Sequence, residues 1–315
     1  MKTSRHLPVN LKDRPFTVKE ARDQGVTRRR LRHGSLENLG RGIRSALPLE
    51  ETPLWDRVRP FIEINSECAL SHVTAAEAGG LPGRAKKEET KTFHVIRPEG
   101  AAYLHRPHVV VHRAKLHADE ITLLNGIRIT TPERTWLDLA EMLSVDELVV
   151  AGDHLVRVPY PEFENRDSPL CALSDLQRMI DRHKGKRGLR KAKAALRLIR
   201  IGADSPQETL LRLALDRAGL PEPELNVPVE EGAPGRRVRP DLSYKRYCIA
   251  IEYEGEGHGD ESQLVRDIAR SERYKELGWA EIRISKRHME NDAKAAVAKV
   301  RAALIQAGWR PGSGP

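Results

Sequence analysis

The stretch that most constrains the fold is PDLSYKRYCIAIEYEGEGH, which spans residues 240–258. Two short segments rich in apolar and aromatic residues flank Lys245 and Arg246, so the stretch predicts a β-hairpin that turns at this pair. Side chains alternate between the faces of a strand, which places Ile249, Ile251 and Tyr253 on one face. Apolar residues on such a strand favour a sheet that helices cover on both sides.

Three acidic residues of this hairpin are predicted to converge. With the turn centred as above, Asp241 lies opposite about Ala250, on the face that Glu252 and Glu254 share. Burying like charges together is costly unless a cation neutralises them. Carboxylate oxygens suit Mg²⁺ or Mn²⁺, and such an ion can activate water for phosphodiester hydrolysis. The alternative is a hairpin whose acids lie at a solvent-exposed edge.

The flanking segments predict the elements of a compact α/β unit. SPQETLLRLALDRAG, from residue 205, reads as a helix with a serine cap, a proline in the first turn and a capping box completed by Glu208. LNVPVE predicts a strand before the hairpin, and a helix, a strand and a closing helix follow it. Arg266, Arg270 and Arg273 share one face of the helix after the hairpin and are expected to contact DNA.

The N-terminal residues predict a helix-turn-helix with a wing. In FTVKEARDQGVTRRRLRHGSLENLGRGIRSA, Thr17 and Thr27 cap two short helices, and a glycine-containing hairpin follows. The second helix of such a module enters the major groove of DNA. The residues expected to face phosphates or guanine edges are Arg28, Arg29, Arg30 and Arg32. The alternative is a small helical hairpin with a solvated basic face.

The middle of the chain predicts a mixed α/β segment with strands at FHVIRP and HVVVHR and a helix at TPERTWLDLA. Five histidines here suggest a metal site: His72, His94, His105, His108 and His112. Of these, His108 and His112 are expected to share one strand face. No acidic or cysteine partner stands at ligand spacing, so no metal site is expected in this segment. A linker and a basic helix follow, whose charged face is either solvated or tracks a phosphate backbone.

Composition and charge indicate which kinds of partner the chain is expected to bind. The 315 residues allow two or three domains, and the net charge of +9 favours polyanions such as nucleic acid. Three widely spaced cysteines indicate neither a disulfide framework nor a zinc knuckle. The chain lacks a run of about 18 apolar residues and an apolar core near its N-terminus, so we expect no membrane contact and a cytoplasmic location.

Residues 205–309 resemble the PD-(D/E)xK nuclease superfamily, specifically the domain related to very-short-patch-repair endonucleases. The resemblance rests on SPQETLLR, RPDLSY, IAIEYEGEGH, the Asp267/Arg270 pair and ELGWAEIRI. It implies a restriction-endonuclease-like fold with the order helix, three strands, helix, strand, helix.

The same resemblance implies a catalytic site that uses Mg²⁺ or Mn²⁺. Asp241 and Glu252 would be metal ligands, with Glu208 as a ligand from the helix. Glu254 stands where the superfamily often has lysine and this subgroup usually has aspartate. His258 would act as a general base, bind a phosphate or cap the following helix. The expected catalytic residues are therefore Asp241, Glu252, Glu254 and His258.

Residues 14–155 resemble AbiEi-type antitoxin and transcriptional-regulator proteins. The resemblance rests on the predicted winged helix, SHVTAAEAGGL and TTPERTWLDLA. It implies that the N-terminal module binds DNA.

Together these patterns predict a multidomain α/β protein. The predicted segments are a winged helix at 1–50, an AbiEi-like α/β domain at 51–160, a linker with a basic helix at 161–204, and a restriction-endonuclease-like domain at 205–315. The leading hypothesis is a metal-dependent DNA endonuclease with a DNA-binding module. The alternative is a non-enzymatic DNA-binding regulator or antitoxin, with a toxin partner or a homodimer formed through the last domain. An RNA-processing nuclease is a third hypothesis, because no sequence feature shows whether the chain distinguishes RNA from DNA by the 2′-hydroxyl.

Overall fold

The computed structural model describes residues 6–82, 92–160, 164–229, 238–255 and 261–312, with side chains in the last range from residue 267. The chain forms two compact units, each built from two stretches of sequence. The first unit comprises Met1–Met142 and Asp175–Leu189, and the second comprises Leu143–Ser174 and Arg190–Pro315. Helices and three sheets occur in the described residues, so the predicted mixed α/β class is confirmed.

The first unit begins with two short helices and a hairpin, in the predicted order. The elements are β1 (Phe16–Thr17), α1 (Val18–Asp23), α2 (Arg28–Leu31), β2 (Glu37–Asn38) and β3 (Ile43–Ser45). The strands form an antiparallel sheet of order β1-β3-β2. Thr17 accepts a hydrogen bond from the backbone N–H of Glu20, and Thr27 accepts one from that of Arg30, so both predicted caps are present.

A five-stranded sheet of order β6-β5-β4-β8-β7 forms the rest of this unit. Its elements are α3 (Leu54–Ile64), β4 (Ala69–Leu70), α4 (His72–Ala78), β5 (Phe93–Pro98), β6 (Val109–Ala114), β7 (Ile121–Leu124), β8 (Ile127–Thr130) and α5 (Pro132–Leu139). Phe93 and Val95 point into a core shared with Phe61 of α3. By alternation along β5, His94 and Ile96 point to the opposite face of the sheet.

Three helices follow along the chain: α6 (Val145–Val156), α7 (Leu173–Arg182) and α8 (Leu189–Leu198). Helix α6 belongs to the second unit, whereas most of α7 belongs to the first. Helix α6 begins with a capping box formed by Ser144 and Glu147, and its apolar residues are buried.

The second unit contains a four-stranded sheet of order β12-β11-β10-β9. Its further elements are α9 (Pro206–Arg217), β9 (Glu224–Leu225), β10 (Leu242–Tyr244), β11 (Ile249–Glu254), α10 (Glu261–Glu276), β12 (Ala280–Ser285) and α11 (Glu290–Gln306). Strands β9, β10 and β11 pair antiparallel, and β12 pairs parallel to β11.

Helices cover both faces of this sheet. Ile249 and Ile251 pack in one cluster with Leu211 of α9 and Val300 of α11. On the other face, Ala250 packs against Tyr274 of α10. The alternation read from IAIEYE therefore holds, and the side chains on each face are those that the two-residue period dictates.

The register of the hairpin differs from the prediction by two residues. Leu242 pairs with Ile251 and Ser243 with Ala250, so Asp241 stands beside Glu252 and not Ala250. The turn is longer than expected, because a 3₁₀ turn at Lys245–Tyr247 is followed by Cys248 in a left-handed conformation. A shift of two residues leaves every side chain on its predicted face, because the strand period is two.

Candidate functional site

Three predicted acids come together at one end of the sheet in the second unit. Glu208 lies in the first turn of α9, Asp241 directly precedes β10, and Glu252 lies in β11. Glu208 and Glu252 are buried. Burial and then the charge of Asp241 raise the pKa of each of these glutamates to about 7. Burial also raises the pKa of Asp241. Asp241 is thus electrostatically coupled to both glutamates.

Protein donors from α10 satisfy Glu252. Its Oε2 accepts a hydrogen bond from Arg270 Nη1 at 3.0 Å, and its Oε1 accepts one from the Tyr274 hydroxyl at 2.5 Å. The Arg270 guanidinium therefore neutralises a carboxylate inside the cluster. Arg270 was predicted as a DNA contact, which stays a prediction; in the structure its Nη1 binds Glu252.

The other two acids also accept hydrogen bonds from the chain. Asp241 Oδ2 accepts one from the backbone N–H of Tyr253 at 2.6 Å. Glu208 Oε2 accepts one from the backbone N–H of Asp204 at 2.9 Å and one from Asn226 Nδ2 at 2.8 Å. Such donors stabilise buried carboxylates without an ion.

The cluster does not present the donor set of a divalent cation. Within the described residues, no choice of one oxygen from each of Glu208, Asp241 and Glu252 brings the three oxygens within 4.8 Å of one another. Mg²⁺ needs oxygen ligands at about 2.0–2.1 Å in near-octahedral geometry. An ion bound through Glu252 would share this carboxylate with Arg270 or displace it.

The remaining predicted site residues lie apart from the cluster or outside the described residues. Glu254 is half exposed and binds Arg283 Nη1 at 3.0 Å. Arg273 binds Glu276 on the surface of α10 at 2.7 Å. His258 and the side chain of Arg266 lie outside the described residues.

A second candidate surface lies on residues 16–45, the segment predicted to form a winged helix. Arg28, Arg29 and Arg32 are exposed on and just after α2. Arg30 is partly buried, and its Nη1 donates to Ser35 Oγ at 3.1 Å. Three guanidinium groups of the predicted four are thus directed to solvent from one short helix and its C-terminal cap.

Arg44 of β3 fixes the hairpin against α2. Its Nε donates to the carbonyl oxygen of Leu31 at 3.2 Å, and its Nη1 donates to Asn38 Oδ1 at 2.7 Å. The sequence showed an arginine in a short strand, but nothing in that pattern identified its partners. Asn226 and Tyr274 were missed in the acid cluster for the same reason, since each reaches its acid across the fold.

Part of the chain is similar to a family of antitoxins. Residues 68–157, from before β4 to just past the end of α6, match the family model described as the AbiEi antitoxin C-terminal domain. The antitoxin resemblance is therefore supported in this stretch, while the nuclease resemblance of the last segment stays a prediction.

Two curated relatives come from Mycobacterium tuberculosis: the uncharacterized protein MT2308 of strain CDC 1551 / Oshkosh, and the uncharacterized protein Rv2248 of strain ATCC 25618 / H37Rv. Each is 28% identical over 193 residues, which cover 61% of this chain and 66% of the relative. The match thus spans a little under two thirds of each relative. In the part of the chain that the structure describes, no helix is both long and apolar enough to cross a membrane.

Proposed function

We propose that this chain is a DNA-binding regulator of the AbiEi antitoxin type, with residues 16–45 as its DNA-binding module. The observation that carries the proposal is the set of exposed guanidinium groups on α2, in a chain whose residues 68–157 match an antitoxin domain. The net charge of +9 adds a long-range attraction to DNA.

The arrangement of the module supports this proposal. Helix α2 follows α1 after a short turn, as the recognition helix of a helix-turn-helix does. Arginine binds phosphates and guanine edges through two parallel N–H donors. Arg44 holds the hairpin to the end of α2, next to the exposed arginines.

The first experiment measures DNA binding and its salt dependence. Binding sites are selected from random duplex DNA, and affinity is measured by fluorescence anisotropy between 50 and 200 mM salt, a range in which phosphate contacts dominate. The Arg28→Gln/Arg29→Gln/Arg32→Gln variant should bind more weakly. Its slope of log affinity against log salt should fall by roughly 2 to 3, because each phosphate contact contributes about 0.9.

A second triple variant, which loses the same charge at other positions, controls for the effect of net charge on DNA binding. It carries glutamine at three exposed positions of α10 and α11: Lys275, Lys294 and Arg301. Its slope should stay close to that of the wild type. If both triple variants lose the same slope, the binding surface is not α2; if the wild type binds no duplex at all, the proposed function fails.

The antitoxin part is tested in the native host. Depletion of the chain should arrest growth if the chain neutralises a toxin, and suppressors of that arrest should inactivate the toxin gene. Growth that is unaffected by depletion would argue for a regulator without a toxin partner.

Phosphodiester hydrolysis is a second candidate function, favoured by the buried acids whose pKa burial and a neighbouring charge raise to about 7. It rests on the nuclease resemblance and needs an ion that shares Glu252 with Arg270 or displaces it. Supercoiled, linear and single-stranded DNA are incubated with the protein in Mg²⁺ or Mn²⁺. Nicking that Asp241→Asn abolishes would support a nuclease, whereas no nicking, or equal nicking by the variant, would leave the regulator as the function.

A further inference from the structure

Three histidines meet on one side of the five-stranded sheet. His72 is the first residue of α4, His94 lies in β5, and His112 lies in β6. One ring nitrogen from each lies within 4.8 Å of one from each of the others. His94 Nδ1 and His112 Nε2 are 2.9 Å apart, and the rings of His72 and His112 stack with centroids 3.6 Å apart. The sequence showed these three histidines without an acidic or cysteine partner at ligand spacing, so no metal site was expected from them.

His72 provides a second, independent observation. Its side chain is buried, and among the described residues its Nε2 has no hydrogen-bond partner. Its Nδ1 lies 2.9 Å from Ser71 Oγ. When Nδ1 donates its proton to that hydroxyl, Nε2 keeps a lone pair that nothing in the described protein uses. His72 also has a φ of 51°, a strained conformation of the kind that persists at functional sites.

The three imidazoles are buried or half-buried, and burial disfavours their charged form. Burial lowers the pKa of His72 to about 2 and that of His94 to about 4, and burial also lowers the pKa of His112. A neutral imidazole is the form that binds a metal ion.

Charged groups of both signs lie around the cluster, and the cations among them disfavour positive charge at His72. Lys186 and Arg134 are within electrostatic range of His72, and Asp138 and Glu141 are within range of His112. Lys186 binds both of these carboxylates, at 3.0 and 2.9 Å, and Arg134 Nε binds Asp138 at 3.0 Å. Each cation is thus offset by the carboxylate that it contacts.

We propose that His72, His94 and His112 form a binding site for one first-row transition-metal ion, and that this ion is Zn²⁺ in the cell. Zn–N bonds of about 2.0–2.1 Å in tetrahedral geometry place the nitrogens about 3.3 Å apart. The His94 and His112 nitrogens need to separate only slightly, and the His72 ring turns out of its stack to direct Nε2 at the ion. Water or a further ligand completes the tetrahedron. The ion links α4 to strands β5 and β6 and holds the edge strand β6 in the sheet.

A second group in the same unit does not fit a metal. His117, Glu120 and His183 also bring ligand atoms within 4.8 Å of one another. Glu120, however, already binds Arg134, Arg182 and His183. The His117 side chain accepts a hydrogen bond from the Glu120 backbone N–H. His117 Nε2 has no hydrogen-bond partner among the described residues, but the Glu120 carboxylate is already committed to Arg134 and Arg182. This group is therefore an ion-pair network and serves as the internal control.

The first test is uptake of metal by the full, untagged chain after treatment with a chelator. Co²⁺ is the spectroscopic probe, because a tetrahedral site gives it strong visible absorption, and Zn²⁺ is titrated in competition. One ion should bind per chain. His94→Gln should weaken binding by more than the roughly 100-fold that loss of an outer partner can cause. Ser71→Ala removes only the outer partner of His72, and it should weaken binding by about 10- to 100-fold.

Two variants separate the site from other histidines. His105→Gln removes an exposed histidine of the same unit, and His183→Gln removes one from the ion-pair network; both should leave Co²⁺ uptake unchanged. Uptake that is absent in the wild type, unchanged in His94→Gln or abolished by His183→Gln would overturn the proposal.

Hydrogen exchange on the wild type tests the site without a variant that might fail to fold. Zn²⁺ should slow amide exchange in residues 93–98 and 109–114, because the ion ties β5 and β6 to α4. Protection confined to the acid cluster around residues 206–217 and 249–254 would place the ion elsewhere and overturn the assignment.

Discussion

Replacing Arg212 by methionine should strongly destabilise the second unit. Arg212 of α9 and Asp153 of α6 are almost fully buried, with side-chain exposures of 3% and 1%. Arg212 Nη2 donates to Asp153 Oδ2 at 2.8 Å, and Thr209 Oγ1 donates to the same oxygen at 2.9 Å. The backbone N–H of Arg200 donates to Asp153 Oδ1 at 2.7 Å. Arg212→Met keeps the volume but leaves the carboxylate with two neutral donors.

The expected loss is about 3–5 kcal/mol of unfolding free energy, as for other buried pairs that lose one partner. Burial already raises the pKa of Asp153 while Arg212 is present. Loss of the guanidinium should raise this pKa further, so the folded variant binds a proton at higher pH than the unfolded chain. The deficit should therefore shrink as pH is lowered. Adding Asp153→Asn removes the uncompensated charge and should restore about 1–3 kcal/mol.

The assay is amide hydrogen exchange of α6 (residues 145–156) and α9 (residues 206–217), measured at increasing urea concentration. Exchange follows these helices separately, which is needed because a chain of two units need not unfold in one step. Arg217→Met is the matched control, since Arg217 pairs with Asp146 between the same helices but is 55% exposed. That surface pair should contribute less than about 1 kcal/mol. An Arg212→Met loss no larger than the control, or no recovery in the double variant, would refute the reasoning.

Three further predictions concern other parts of the fold. The pKa of Glu208 is raised from 4.5 to about 7, so the folded second unit should lose stability as pH rises from about 5 to 8. In thermal melts, Glu208→Gln should reduce this loss. Glu222→Gln, at an exposed site, should not reduce it. Gly188→Ala should destabilise the first unit by more than about 1 kcal/mol, because φ is +81° and the new Cβ would overlap the carbonyl oxygen of Ala140; an unchanged melting temperature would contradict this. Thr27→Ala should cost about 1 kcal/mol and speed amide exchange at the start of α2, while Thr27→Ser should behave like the wild type.

Sequence patterns were sufficient where neighbours along the chain decide the structure. The caps at Thr17 and Thr27 and the alternation of Ile249 and Ile251 depend only on local backbone geometry, and the structure bears them out. The hairpin register was wrong by two residues, since the turn around Tyr247 is longer than its sequence indicated. The faces were still correct because an even shift preserves them.

Tertiary packing decided which groups the functional candidates contact. The sequence placed Glu252 among acids and suggested a metal ion, but only the fold brings Arg270 and Tyr274 of α10 onto that carboxylate. It likewise gathered His72, His94 and His112 from three separate elements, in a segment where spacing along the chain had indicated no metal site. The physical reason is that helix and strand periods are set by local geometry, whereas the neighbours of a buried side chain depend on how distant elements pack together.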